Sequence, residues 1–218
     1  VRAAGIPFQV SFNHRNNPPY ATMRRLQAEG RIGRTVSAWA RLFAPASSSR
    51  WRAIQASGHW RASLELSGGR INEFCSHTVN WLLWVLGRPK SVYGRALHVT
   101  EGFALDDADY ALIECEAGAG LLDVHRHAGV PADSHFGILG TGGSILFKDK
   151  TLTLTRMDEP PETVPVDAQV RSKHQEFIDC LDTGAQPATD IDSAIDTLQV
   201  CLAFNASAAS GEVQRIVP

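Results

Sequence analysis

The sequence contains four cysteines, two methionines and no apolar run longer than Trp81-Leu82-Leu83-Trp84-Val85-Leu86. Each shortage removes a class of protein. A membrane-spanning helix needs about 20 apolar residues in a row, so no membrane partner is expected. Cys75, Cys115, Cys180 and Cys201 are scattered without a CxxC pair, so neither a disulfide framework nor a zinc ribbon is expected, and a reducing cytoplasm fits best. No basic start leads into an apolar stretch, so no secretory signal is visible. An excess of one charge is missing too: 21 basic against 23 acidic residues give −2, without the surplus that phosphate-backbone binding uses. Nucleic acid is not an expected partner. There is also no GxGxxG opening a helix, no GK[ST] and no GxSxG elbow, hence no dinucleotide cradle and no hydrolase nucleophile.

What remains is ordinary globular composition, 44% hydrophobic and 20% charged over 218 residues, enough to bury a core without staples. No repeat or linker divides it, so residues 1–218 read as a single domain. The chain opens at Val1 rather than methionine, which points to sequence upstream.

Periodicity places the elements. Residues 6–12 alternate, with Phe8, Val10 and Phe12 on one face, as a strand does. Asn13 to Pro19 form a loop leading into a helix over residues 20–28, stopped by Gly30. Residues 35–43 read as a strand and residues 44–67 as a long surface loop. After Ser67-Gly68-Gly69 a helix runs to Leu86, closed by Gly87 and Pro89. Short strands follow over residues 91–96, 108–115, 121–127, 136–139, 144–147 and 151–155. Their turn-length links favour antiparallel pairing. Helices over residues 170–182 and 191–210 finish the chain. The expectation is an α+β domain: an open, predominantly antiparallel sheet with helices packed on one face.

The helix after Gly69 carries the chemistry. Glu73 and His77 are four apart and would share a helical face, with Asn80, Trp81 and Trp84 continuing the stripe. A carboxylate on one imidazole nitrogen fixes its tautomer and leaves the other to exchange a proton with a substrate hydroxyl. The plainer alternative is a solvated contact worth tenths of a kcal/mol. His125 and His127 form an HxH on a strand and could join Glu73 and His77 around a metal, or could lie on the wet face of a sheet. The glycines from Gly137 to Gly143 read as a β-turn between strands, and Cys75 as a small packing residue.

Trp60-Arg61, Ser67-Gly68-Gly69-Arg70-Ile71-Asn72-Glu73, His77, Asn80 and Leu86-Gly87-Arg88-Pro89 resemble the "WR…GGG…D/E…H..D…LG.P" signature of the glucose-fructose oxidoreductase and inositol dehydrogenase (Gfo/Idh/MocA) family. Phe12-Asn13-His14-Arg15 with Pro18, the Glu29-Gly30-Arg31-Ile32-Gly33 turn, Asp106-Asp107, Gly140-Thr141-Gly142-Gly143-Ser144, Ser207 and Gly211 agree in the same order. The resemblance implies an NAD(P)-dependent oxidoreductase acting on a hydroxyl of a sugar, polyol or related small molecule. Such enzymes carry a Rossmann domain followed by a domain built on a large, mostly antiparallel sheet. This chain resembles the second domain alone, with residues 1–15 as the crossover from a missing dinucleotide-binding domain. By that resemblance NAD or NADP is bound mainly elsewhere, this fragment alone is inactive, and the sheet face forms a homo-oligomer. His77 matches the catalytic histidine, and Glu73 the acid that orients it. Arg15, Asn80 and Trp60 are the expected substrate-binding residues. Arg15 could equally make an interdomain contact, and Asn80 stands where aspartate is usual. Two other readings keep the fold: a non-catalytic assembly or regulatory module, and NAD-assisted glycoside hydrolysis through the same histidine.

Overall fold

The computed structural model describes residues 1–44, 53–54, 56–126, 132–167 and 170–217. Within them the helices of eleven or more residues are α1 (Pro18–Ala28), α2 (Ser76–Leu86), α3 (Lys173–Thr183) and α4 (Ile191–Ser210). The strands are β1 (Thr35–Phe43), β2 (Pro89–Leu97), β3 (Ala108–Cys115), β4 (Gly118–His125), β5 (Asp133–Gly140), β6 (Gly143–Lys148), β7 (Thr151–Arg156), β8 (Glu162–Thr163) and β9 (Gln214–Arg215). They form one sheet in the order β8-β7-β6-β5-β1-β4-β3-β2-β9. Only β1 and β4 pair in parallel, and every other neighbouring pair is antiparallel. The α+β expectation therefore holds.

Alternation separates the two faces of this sheet. Ala38, Ala40, Ile113, Leu122, Val124, Phe136, Ile138, Ile145 and Leu154 are buried in one cluster with Met23 and Leu26 of α1, Leu82 and Leu86 of α2, and Val200 and Phe204 of α4. Their strand neighbours Tyr93, Tyr110, Leu112, Leu121 and Leu139 are exposed on the opposite, outer face. Helix α2 is buried nearly all round, lying between the sheet and α4, which is what its continuous apolar sequence dictates. Helix α4 approaches β2 so closely that a Cβ on Gly94 would lie 2.6 Å from the Phe204 ring.

Two expectations change. Residues 6–12 are not a strand: Val10 N–H donates to Thr189 O at 2.9 Å, Phe12 N–H to Val10 O at 2.8 Å, and no described strand lies alongside to complete a ladder. Alternation records which side chains want a common face, but a strand also needs a neighbour. The helix after Gly69 is not α-helical from its start either. A π-helical turn spans Ile71–Cys75 before α2 begins. The long surface loop falls partly outside the described residues, at 45–52 and 55. Its described end holds a 3-10 turn at Trp60–Ala62 and a short helix at Leu64–Ser67.

Candidate active site

The entrance to α2 is set by two glycines. Gly68 (φ 71°) caps the short helix, its N–H donating to Leu64 O at 2.9 Å, and Gly69 (φ 90°) turns the chain again. Left-handed backbone of this kind favours glycine, which has no Cβ to clash. Asn72 Nδ2 and Asn205 Nδ2 both donate to Gly68 O, at 2.7 and 3.0 Å. The following Arg70 is buried and fixes the turn to the sheet. Its Nε lies 2.8 Å from Asp109 Oδ2, while Nη1 and Nη2 donate to Asp107 O at 3.0 Å and Val124 O at 2.7 Å. Burial pushes the Asp109 carboxyl up, against the pull of Arg70. Cys75 Sγ donates to the same carboxylate at 3.8 Å, which makes it the packing residue expected.

His77, in the first turn of α2, is half-buried. Phe12 meets its ring edge-on at 5.9 Å, and His14 does so at 6.1 Å. Burial holds the His77 imidazole below its ordinary value, and the nearby charges of Lys173 and Arg61 add to that. His14 packs on Tyr20 at 4.8 Å and Phe136 at 5.6 Å. Burial, with a smaller effect of His77, pulls it to about 4. Two neutral imidazoles thus sit side by side at neutral pH. His77 Nδ1 is buried and, among the described residues, has no hydrogen-bond partner. Trp81 Nε1, one turn further on, is in the same condition while its ring packs on Tyr20 and Phe136.

Glu73 does not serve as the partner of that nitrogen in this conformation. Its carboxylate, 6% exposed, lies 2.9 Å from Arg61 Nε. In a π-turn the backbone bonds run from i to i+5, so the regular 3.6-residue turn assumed for stacking Glu73 on His77 does not hold across Ile71–Cys75. Trp60 is exposed and lies under the Arg61 guanidinium at 5.4 Å, reaching Glu73 through that arginine.

Arg15 and Asn80 come together, as a clasp. Arg15 Nε donates to Asn80 Oδ1 at 2.9 Å, Nη1 to Ala188 O at 2.7 Å and Nη2 to Ser193 Oγ at 2.8 Å. Asn80 Nδ2 donates to Ser193 Oγ and Thr197 Oγ1. Arg15 also stacks over Trp84 at 5.5 Å. Burial pulls its guanidinium down to about 10, opposed by Asp190 and Glu176. These bonds join the 3-10 turn Asn13–Asn16 to α2 and α4.

His125 points to the outer face, 2.5 Å from Asp123 and packed on Phe43 and Tyr110, on the other side of the sheet from α2. His127 lies outside the described residues. Among the described residues no group of three metal-ligating side chains gathers. Sequence reasoning missed His14, Arg70, Asp109 and Lys173. For Asp109 a signal existed, since it continues the inward stripe Ala111, Ile113, Cys115 of β3.

Residues 20–146 match the GFO/IDH/MocA C-terminal domain. No curated protein matches the sequence. Among solved structures, the chain is similar to the WlbA dehydrogenase from Bordetella pertussis in complex with NADH and UDP-GlcNAcA, with 21% identity and a TM-score of 0.82, covering all of this chain and 66% of that one. An oxidoreductase from Agrobacterium radiobacter in complex with NAD+, L-tartaric acid and magnesium gives 18% and 0.82, over 98% and 66% of the two chains. An oxidoreductase domain protein from Kribbella flavida gives 20% and 0.83, over 99% and 67%. The chain therefore spans about two thirds of the length of these structures.

Proposed function

The chain belongs to the GFO/IDH/MocA C-terminal domain family, and we propose that it is the substrate-holding part of a nicotinamide-dependent oxidoreductase acting on a hydroxyl of a sugar, polyol or related small molecule. The observation that carries this reading is His77: a half-buried imidazole held neutral by burial and two cations, with a buried nitrogen that has no hydrogen-bond partner among the described residues. The nicotinamide supplies hydride exchange when bound. The protein's share is to take or return the hydroxyl proton, and a neutral imidazole can accept it at neutral pH.

The described residues do not fit the dinucleotide itself. Gly140-Thr141-Gly142-Gly143 joins β5 to β6 in a hairpin and opens no helix, whereas pyrophosphate cradles use a glycine turn at a helix N-terminus. NAD or NADP is accordingly assigned to sequence outside these residues, and these 218 residues alone are expected to be inactive. UDP-GlcNAcA and L-tartaric acid, in the complexes of two similar structures, both carry hydroxyls, which supports the substrate class.

In this reading His77 exchanges the proton and Glu73, neutralised by Arg61, borders it together with Trp60. Arg15 and Asn80 hold α2 in place beneath the substrate. Self-association through the outer sheet face belongs to the same reading, supported by the exposed Tyr93, Tyr110, Leu112, Leu121 and Leu139. The test is turnover of the full-length protein with NAD+ or NADP+ and a panel of sugars and polyols. His77→Ala is expected to lower kcat by about 100-fold or more. Full turnover in that variant would remove the reading.

A further inference from the structure

Lys173 is the first residue of α3 and is half-buried. The acids that a helical lysine would ordinarily find are engaged elsewhere. Glu176, three residues on, accepts from Asn16 Nδ2 at 3.0 Å with one oxygen and from Ala188 N–H at 2.9 Å with the other. Asp179 takes Gln175 Nε2 and Arg171. Lys173 Nζ is left donating to the hydroxyl of Ser11, and no carboxylate among the described residues lies within ion-pairing distance of it. Ser11 adjoins Phe12, whose ring rests on His77, and the Asn16 bonds to Arg171 O and Glu176 tie the start of α3 to the segment that carries His14.

The charge around His77 can then be summed by sign. Arg61 is neutralised by Glu73, and both imidazoles are held toward the neutral form. Among the described residues, Lys173 is left as a cation near His77 with no carboxylate partner. The half-buried Lys173 side chain thus presents an ammonium whose described partner is a neutral hydroxyl, leaving its charge available to an anion. A single net charge suits a monoanionic carboxylate better than a doubly charged phosphate.

We propose that Lys173 anchors a carboxylate carried by the substrate, so that the site is built for a sugar acid rather than a neutral sugar. The location of the substrate beside His77 rests on the oxidoreductase reading above. The anchored carboxylate would bring the rest of the polyhydroxy chain toward the imidazole. It would also offset the positive field that, after burial, lowers the basicity of His77.

The test uses the full-length protein loaded with NAD+ and two matched pairs of ligands, D-glucuronate with D-glucose and D-galacturonate with D-galactose. Calorimetric affinity and NADH formation are read separately. At least one hexuronate is expected to bind ten times or more tighter than its hexose, with the ratio falling to about one in Lys173→Met and kept in Lys173→Arg. Equal or absent binding of acid and neutral sugar in the wild type overturns the anchor. So does a preference that survives Lys173→Met, or a Lys173→Met loss that falls on NAD+ affinity instead. Lys173-dependent hexuronate binding with no NADH formed from any of the four ligands keeps the anchor and removes the oxidoreductase reading.

Discussion

Arg61 holds Glu73 at 2.9 Å, in a place where the carboxylate is almost fully shielded from water. The acid is therefore neutralised by a residue of the preceding 3-10 turn. The imidazole is left with cations as its electrostatic neighbours.

Replacing Arg61 by methionine removes one of the two charges that depress His77 and releases the Glu73 carboxylate. Both effects favour the imidazolium, so the His77 titration is expected to move to higher pH. Proton–carbon NMR of the imidazole Cε1–H reads the midpoint, and an unchanged or lower value would contradict this electrostatic account.

His14 lies at about 4 in the folded chain against the ordinary 6.5. Between these two values the unfolded chain binds the extra proton, so stability rises with pH through that window and is lost on acidification, by roughly 3 kcal/mol in all. Denaturant midpoints collected across the window should flatten in His14→Gln. A variant with the same slope as the wild type would assign the acid sensitivity to other groups.

The Arg70–Asp109 pair is buried at both ends. Arg70→Met alone strands a carboxyl in the core and is expected to cost about 3–5 kcal/mol. The double variant Arg70→Met with Asp109→Leu should recover most of that. A urea-melt double-mutant cycle measures the coupling, and strictly additive losses would show that the pair does not act as a unit.

Asn80→Ala leaves Arg15 Nε and two hydroxyls without one partner each. A loss of about 2–3 kcal/mol is expected in chemical denaturation. Little or no loss would mean that water substitutes freely in the clasp.

Leu121 lies exposed between Leu112 and Trp39 in the register of β3, β4 and β1. If the outer face joins copies of the chain, Leu121→Asp converts the oligomer to a monomer in light scattering with the circular dichroism unchanged. Retention of the oligomer would place the interface elsewhere.

Much of the architecture was legible in the residues. The alternation of β3, with Ala111, Ile113 and Cys115 inward and Leu112 and Glu114 outward, is the local record of a one-sided core. The 20-residue α4 carries its own start at Asp190 and stop at Gly211. The site was less legible. The stacking of Glu73 over His77 assumed 3.6 residues per turn, and the turn at Ile71–Cys75 is π-helical, a departure that hydrophobic periodicity does not announce. His14 and Lys173 reach His77 from segments far apart in sequence. Such meetings depend on how α3 and the 3-10 turn pack, which no local pattern encodes. Arg15 was read as a substrate ligand or a structural contact from the family resemblance, and its guanidinium bonds to Asn80, Ala188 and Ser193.

The position of β1 bears on how the sheet assembles. Strands β2 to β4 and β5 to β8 are two sequential meanders, each able to zip from its own turns, and among the described strands they meet only through β1, a segment made before either of them. Joining them requires closing long loops around this earlier strand, the entropically expensive kind of contact. β1 thus works as a keystone: its insertion is expected to be the late, rate-setting event, since it alone among the described strands hydrogen-bonds to both meanders.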